Sequence, residues 1–262
     1  MNILTVYANP NPRSFCHAVL AQFTQGLRDA GHKSEVIDLY AIGFDPVLRI
    51  RDAPNWVNES LPIDVLEKME LKRQAIESTT NPVQRLMVRM MLRNKSTRDI
   101  LKMAWKRRPK DIIEQQEKVA KAQGLALISP IWFVGFPAIL KGWIERVYTP
   151  GFAFGLSNEG WKGDIKGRIP LLKHEKVLIM STTLFNEETY AAGLREAMKK
   201  VIDDFAFRYP GIKRVEHTYF YAVNGADSET RKSYLQRAYL LGKEYSSGWS
   251  VNQVKEPSAP AR

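Results

Sequence analysis

Cysteine is nearly absent from this sequence, which contains Cys16 alone among 262 residues. A single cysteine excludes an intrachain disulfide and is typical of a reducing compartment. The four histidines are scattered and no Cys-x-x-Cys pair occurs, so we expect no metal site. The apolar run 124–140 is divided by Pro130 and Pro137. It is too short and too interrupted to predict a transmembrane helix.

Glycine is missing from the loop that follows the first apolar run, NPNPRSF at 9–15. Its absence excludes the GxGxxG dinucleotide fingerprint and the P-loop at this position. The loop instead carries Asn9, Arg13 and Ser14 ahead of a helical pattern. Free N–H groups, a helix dipole, a hydroxyl and a guanidinium suit a phosphate. The same residues equally suit a capped helix start with an exposed arginine, so both interpretations stay open for this loop.

Short apolar runs alternate with amphipathic segments along most of the chain. The runs predicted as strands are 2–8, 33–39, 125–129, 177–182 and 213–223. Five strands separated by helices predict an α/β fold with a doubly wound parallel sheet. Such a sheet binds ligands outside the carboxyl ends of its strands, where the loops 9–15, 130–137 and 182–190 are expected to meet.

The domain organisation follows from the same pattern. We expect one domain over 1–250 with a helical insertion at about 52–110, and a disordered tail over 251–262. The first run, NILTVYA, has no basic region before it and does not resemble a signal peptide. We therefore expect a cytoplasmic protein.

The segment 129–147, SPIWFVGFPAILKGWIERV, is the strongest local signal. It predicts the end of a buried strand, a proline-framed aromatic loop and then a helix that begins near Pro137. An isolated aromatic cluster usually fills the core. Here Trp132, Phe133 and Phe136 lie at the carboxyl end of a strand, which favours a pocket for a flat ligand.

Acidic residues are scarce between 72 and 110, where twelve basic and two acidic residues leave +10 of the total net charge of +11. Arg85, Arg89 and Arg93 recur every four residues as a ridge, and valine and methionine side chains lie on other faces.

We rank three interpretations of this basic segment. The first is a solvated arm that packs its apolar face on the domain or a dimer mate. The second is a surface that contacts anionic lipid, which would make the protein peripheral to the membrane. The third is nucleic-acid binding, for which no motif is present.

Several segments resemble the NAD(P)H:quinone oxidoreductase family, the DT-diaphorase-like branch of the flavodoxin-like fold. They are DLYAIGFDPVL (38–48), 129–147, GFAF (151–154) and 221–231. The resemblance covers most of the chain outside 52–110. It implies a bound FAD, with FMN as the alternative, and NAD(P)H as electron donor. It further implies two-electron hydride transfer to a quinone or related aromatic acceptor, and a homodimer.

The resemblance also implies roles for individual residues. Tyr190 matches the family tyrosine that hydrogen-bonds near the flavin and stabilises its reduced form. Acceptor contacts fall to Phe133, Phe154 and Phe185. Flavin contacts fall to Asn9, Arg13, Ser14, Phe15, Pro130, Ile131, Trp132, Phe133, Val134, Thr182, Thr183, Val223 and Arg231.

The chain departs from the family pattern on the acceptor side. Leu184 and Phe185 replace two glycines, Glu196 replaces the histidine that partners the tyrosine, and Gly225 replaces an acceptor-side histidine. A tyrosine–histidine relay is therefore not expected, and Leu184 with Phe185 could close the flavin site altogether. The alternative function is a regulatory or ancillary flavodoxin-like subunit that docks on a membrane transport protein through the basic insertion.

Overall fold

A computed structural model describes residues 1–246, so the predicted tail at 251–262 lies outside the described residues. Five strands form a parallel sheet in the order β2-β1-β3-β6-β7, which confirms the predicted doubly wound α/β fold. The strands are β1 (Asn2–Tyr7), β2 (Lys33–Asp38), β3 (Gly124–Pro130), β4 (Phe154–Leu156), β5 (Arg168–Pro170), β6 (Lys176–Thr182) and β7 (Arg214–Phe220).

Twelve α-helical segments lie within residues 1–246. They are α1 (Phe15–Asp29), α2 (Ala53–Trp56), α3 (Ile63–Lys68), α4 (Leu71–Glu77), α5 (Pro82–Leu92), α6 (Thr97–Trp105), α7 (Lys110–Lys121), α8 (Ala138–Val147), α9 (Asn158–Trp161), α10 (Glu187–Thr189), α11 (Arg195–Met198) and α12 (Ser228–Lys243). Two π-helical stretches, Tyr190–Leu194 and Lys199–Arg208, join α10 and α11 into one helical segment over 187–208. Gly193 kinks it with φ 119°. No helix in the described part of the chain is both long enough and apolar enough to cross a bilayer.

The core lies on both faces of the sheet because its central strands are mainly apolar, on both of their faces. Strands β3 and β6 are buried at every position. Helices α1 and α12 cover one face, while α7, α8 and the segment 187–208 cover the other. The pair α1–α12 packs closely at Gly242, where an added Cβ would lie 2.1 Å from the carbonyl oxygen of Phe23.

Two regions differ from the expectation drawn from the sequence. The stretch 149–174 lies outside the five predicted strands, yet it contains the antiparallel pair β4–β5. The insertion is helical as expected and breaks at Asn81, whose side chain caps α5. However, the apolar face of α5 does not pack on the domain, because Met87 and Met90 are 64% and 67% exposed. The expected packing of this face on the domain is therefore wrong, and its packing on a dimer mate stays a prediction.

A buried ion pair joins the insertion to the rest of the domain. Arg146 on α8 donates to both oxygens of Asp52 at 3.0 and 3.1 Å, and both side chains are buried. The same guanidinium donates to Asp111 at 2.8 Å and to the carbonyl oxygen of Asp45 at 2.7 Å. The arginine of the GWIERV sequence therefore fixes the start of the insertion against α8.

Candidate functional site

Three loops meet at the carboxyl edge of the sheet, at the switch point between β1 and β3. The N–H of Ala8 donates to the carbonyl oxygen of Ile128, and the N–H of Ile131 donates to that of Thr182. The side chain of Cys16 lies within reach of Asn9 and Thr182. The loops 9–15, 130–137 and 182–190 therefore converge as the topology predicts.

The first loop is shaped by its own asparagines. Asn9 Oδ1 accepts from the N–H of Asn11, and Asn11 Oδ1 accepts from the N–H of Arg13, each at 2.9 Å. Ser14 Oγ then caps α1 by accepting from the N–H of His17 at 3.1 Å. Arg13 is exposed, and its guanidinium forms no ion pair within residues 1–246. A hydroxyl, a guanidinium and first-turn N–H groups at one point fit an anionic phosphate.

Two buried groups lie beneath this loop. Burial raises the pKa of the Cys16 thiol to about 12, although hydrogen bonds with Thr182 and Asn9 oppose the shift. Burial likewise raises the pKa of Tyr7 to about 12, against an opposing hydrogen bond with Ser14. Both groups are therefore neutral at physiological pH, and Cys16 is a filler below the loop rather than a nucleophile.

The aromatic loop is a tight, strained turn. Trp132 and Gly135 exchange backbone hydrogen bonds of 3.0 and 3.2 Å. Between them Phe133 and Val134 have φ of 46° and 62°, the left-handed region that costs non-glycine residues about 1–3 kcal/mol each. The turn exposes the Phe133 side chain completely. It therefore presents aromatic surface and peptide groups to whatever lies at the edge of the sheet.

The third loop turns its apolar side chains outward. The Thr183 hydroxyl donates to the carbonyl oxygen of Phe185 at 2.8 Å, and the Thr183 carbonyl accepts from the N–H of Val223 at 3.1 Å. Leu184 and Phe185 remain 61% and 55% exposed. The backbone of the loop is held by β7 and the segment after it, while both side chains that replace the family glycines face solvent.

Tyr190 lies below this loop in a cluster of tyrosines. Its ring is 5.3 Å from those of Tyr219 and Tyr221, and its side chain is buried. Burial raises the pKa of Tyr190, and a hydrogen bond with Thr183 opposes the shift. The hydroxyl is therefore a protonated donor next to the loop 182–190.

A polar network beside Tyr190 was missed by sequence reasoning. Ser181 Oγ lies 2.9 Å from His217 Nε2, and His217 Nδ1 lies 3.0 Å from Asp203 Oδ1 and from the Tyr219 hydroxyl. The alternation of β7 puts residues 217, 219 and 221 on one face, which could have indicated it. The order Ser-His-Asp matches a hydrolase triad, but Ser181 is fully buried. The network therefore supports the tyrosine cluster rather than attacking a substrate.

Arg231 and Phe154, two predicted site residues, have structural contacts of their own. Arg231 donates to the carbonyl oxygens of Val223 and Ala226 at 2.9 and 3.0 Å, and so braces the loop after β7. Its guanidinium also lies 5.7 Å from the Phe15 ring. Phe154 packs on the rings of Trp56 and Tyr209, and no ring contact within residues 1–246 joins it to Phe133 or Phe185. The acceptor role of Phe154 stays a prediction.

An apolar cavity of about 390 Å³ adjoins the aromatic turn. The loop 134–136 and α8 form one wall, and residues 194–206 form the other. Val201 of the second wall is 68% exposed. The aromatic turn is therefore continuous with an open apolar groove.

Comparison with known proteins identifies the family of this chain. Residues 1–240 match the flavodoxin-like fold family. The chain belongs to this family. It is similar to an uncharacterized NAD(P)H oxidoreductase of Haemophilus influenzae, at 25% identity over 91% of this chain and 92% of that protein. It is also similar to NAD(P)H dehydrogenase (quinone) 1 of Cavia porcellus, at 27% identity over 72% of this chain and 55% of that protein. The resemblance drawn from the sequence motifs is thus confirmed.

Solved structures agree on the fold. An NAD(P)H:quinone oxidoreductase from Methanothermobacter marburgensis has a TM-score of 0.66 at 24% identity, covering 94% of this chain and 96% of that one. An FMN-dependent NADH-azoreductase from Bacillus anthracis, solved in complex with FMN, has a TM-score of 0.59 at 15% identity, covering 94% of this chain and 97% of that one. At these identities the likeness establishes the flavodoxin-like fold.

Proposed function

We propose that this protein is a flavin-dependent NAD(P)H oxidoreductase that reduces quinones or related aromatic acceptors. One observation carries the proposal: the strained, exposed aromatic turn at Phe133 and Val134 lies at the same sheet edge as the capped start of α1. A flat ring with a phosphate tail needs both features at one edge. The names of the two sequence relatives support the same reaction class.

The residues of the three loops would divide the work of holding the flavin. Arg13, Ser14 and the first-turn N–H groups of α1 would hold its phosphate. The backbone of 130–134 would line one edge of its ring system, and Thr182 with Thr183 would approach from the third loop. When bound, the flavin supplies the redox chemistry by accepting a hydride from NAD(P)H and delivering it to the acceptor. The protein supplies position and excludes water.

Tyr190 is proposed as a hydrogen-bond donor near the flavin that stabilises its reduced form. Burial among Tyr219 and Tyr221 fixes its ring, and its raised pKa keeps the hydroxyl protonated. Tyr190→Phe should keep the fold and the amount of bound flavin while slowing flavin reduction up to roughly tenfold, because it removes one hydrogen bond worth about 0.5–1.5 kcal/mol. An unchanged rate of NAD(P)H-driven bleaching in stopped-flow would contradict this role.

The structure bears on the choice between FMN and FAD. The expectation of FAD depended on Val223 and Arg231, yet the Arg231 guanidinium already donates to Val223 and Ala226. An azoreductase with the same fold was solved with FMN. Both points support FMN. Heat release of the cofactor followed by mass determination decides between the two flavins.

The apolar groove beside the aromatic turn supports a homodimer. Val134 lines the groove and also ends the stretch 130–134 that is proposed to hold the flavin, so a second copy seated there would also shield the flavin. Val201→Glu should convert a dimer to a monomer in light scattering, because it puts a charge into the groove. The matched exchange Ile165→Glu, at an exposed residue away from the groove, should leave the mass unchanged.

The reaction itself is tested with the flavin-loaded protein. NADH or NADPH should bleach the flavin absorbance without oxygen, and menadione should restore it. Steady-state rates should then give the parallel lines of a ping-pong mechanism. A flavin-loaded protein that neither nicotinamide bleaches would overturn the proposal and favour a regulatory subunit.

A further inference from the structure

Helix α5 turns an apolar stripe toward solvent. At 100° per residue, five of its apolar side chains fall on one exposed face. They are Val83 (68% exposed), Leu86 (58%), Met87 (64%), Met90 (67%) and Met91 (43%). Leu92, on the opposite side of the helix, is buried and anchors the helix to the protein. A contiguous apolar stripe on a surface helix indicates an interaction site.

The residues that flank this stripe carry positive charge only. The segment 82–96 contains Arg85, Arg89, Arg93 and Lys95 and no acidic residue. All four are exposed, and within residues 1–246 none of them forms an ion pair. On the helix, Arg89 and Arg93 lie beside the edge of the stripe. The uncompensated charge is therefore available to an anionic partner along the whole helix.

We propose that α5 binds the surface of an anionic lipid bilayer, with its axis in the plane of the interface. Valine, leucine and methionine side chains would enter the acyl boundary, and the arginines would meet the headgroups. The helix is about 16 Å long at 1.5 Å per residue, so it lies on the membrane and does not cross it. The proposal is independent of the redox function, because that function was argued from the loops 9–15, 130–137 and 182–190, and α5 belongs to none of them.

Charge decides against the other occupants. If a second copy packed its own α5 on this stripe, the basic residues of both helices would lie close together and repel each other. The segment 82–96 contains no acidic residue that could compensate them. A nucleic acid would use the arginines but leave the apolar stripe exposed. A bilayer with anionic headgroups matches both the stripe and its flanks at once.

Co-sedimentation with vesicles tests the proposal on the full-length protein. Binding is expected to vesicles of phosphatidylcholine with phosphatidylglycerol, to weaken with salt, and to be absent with phosphatidylcholine alone. Met87→Gln with Met90→Gln should lower the partition coefficient at least about tenfold. Arg89→Gln with Arg93→Gln should lower it roughly 20- to 30-fold. Circular dichroism melts check that these exposed exchanges leave the fold intact.

Matched exchanges elsewhere separate this surface from general charge and hydrophobicity. Ile50→Gln, at an apolar residue that is 90% exposed, and Lys162→Gln with Lys213→Gln should leave vesicle binding unchanged. A fluorophore on Met87→Cys should shift to the blue on anionic vesicles, while one on Ile50→Cys should not. Cys16 is buried, so the label goes to the introduced thiol.

Three results would overturn the proposal. The first is no binding to anionic vesicles at low salt. The second is binding that the α5 variants and the matched controls retain equally. The third is capture by detergent-solubilised membrane proteins without any affinity for protein-free vesicles, which would assign the stripe to a protein partner.

Discussion

Asp52→Ala should destabilise the fold strongly because it leaves a buried guanidinium partly unpaired. Arg146 and Asp52 are 0% and 1% exposed as side chains, and two hydrogen bonds of 3.0 and 3.1 Å join them. Removing one partner of a buried pair costs about 3–5 kcal/mol. The contacts of Arg146 with Asp111 and the Asp45 carbonyl survive, so we expect the lower end, about 3 kcal/mol.

Urea denaturation measures this effect. With an m-value near 3 kcal/mol/M, the midpoint should fall by roughly 1 M. Asp111→Ala is the matched control, because Asp111 is 43% exposed and water can replace it; its effect should stay below about 1 kcal/mol. Adding Arg146→Met to Asp52→Ala should recover much of the loss, since no buried charge then remains. Equal effects of Asp52→Ala and Asp111→Ala would refute the argument from burial.

Three further predictions concern packing, strain and the thiol. Gly242→Ala should lower the melting temperature, because its Cβ would lie 2.1 Å from a backbone oxygen of α1 and overpacking costs about 1–3 kcal/mol. Gly225→Ala should be neutral, because the space around Gly225 is open. Equal melting temperatures of the two variants would contradict the close approach of the helices. Val134→Gly should raise the free energy of unfolding by up to about 1 kcal/mol because it relieves a left-handed φ. Val201→Gly, in a helical segment, should lower the free energy of unfolding. A lower free energy of unfolding in both variants would contradict strain at Val134. Cys16 should resist Ellman's reagent at pH 8 until the protein unfolds, since burial raises the pKa of its thiol from 9.0 to about 12. The stability that the neutral thiol contributes is present below about pH 9 and is lost as the pH rises toward 12. Rapid labelling of the native protein would contradict this burial.

The sheet and the aromatic turn were predictable because both follow from local patterns. Apolar runs such as 177–182 mark buried parallel strands, and the prolines around 130–137 fix the loop that follows β3. The contact between Arg146 and Asp52 was not predictable, because it joins residues 94 positions apart and leaves no periodic signal. Helical spacing likewise showed which α5 side chains share a face, but not that this face looks toward solvent.

The candidate site was predictable in its location and less so in its details. The resemblance led to Ser14, Phe133, Thr183 and Tyr190, and the structure puts these residues on or below three converging loops. It did not indicate that Arg231 braces a neighbouring loop, because a motif match records a position and not the partners that the fold supplies. The polar network at His217 depends on the register of β6 and β7, which only the folded sheet sets.

The most direct test of this account is a flavin titration of the purified protein, followed by absorbance. We predict that FMN binds with one flavin per chain and that its spectrum shifts on binding. Arg13→Gln with Ser14→Ala should weaken the binding of FMN more than that of riboflavin, which lacks the phosphate. A protein that stays colourless and binds neither FMN nor FAD would contradict the central claim that the three loops at the carboxyl edge form a flavin site.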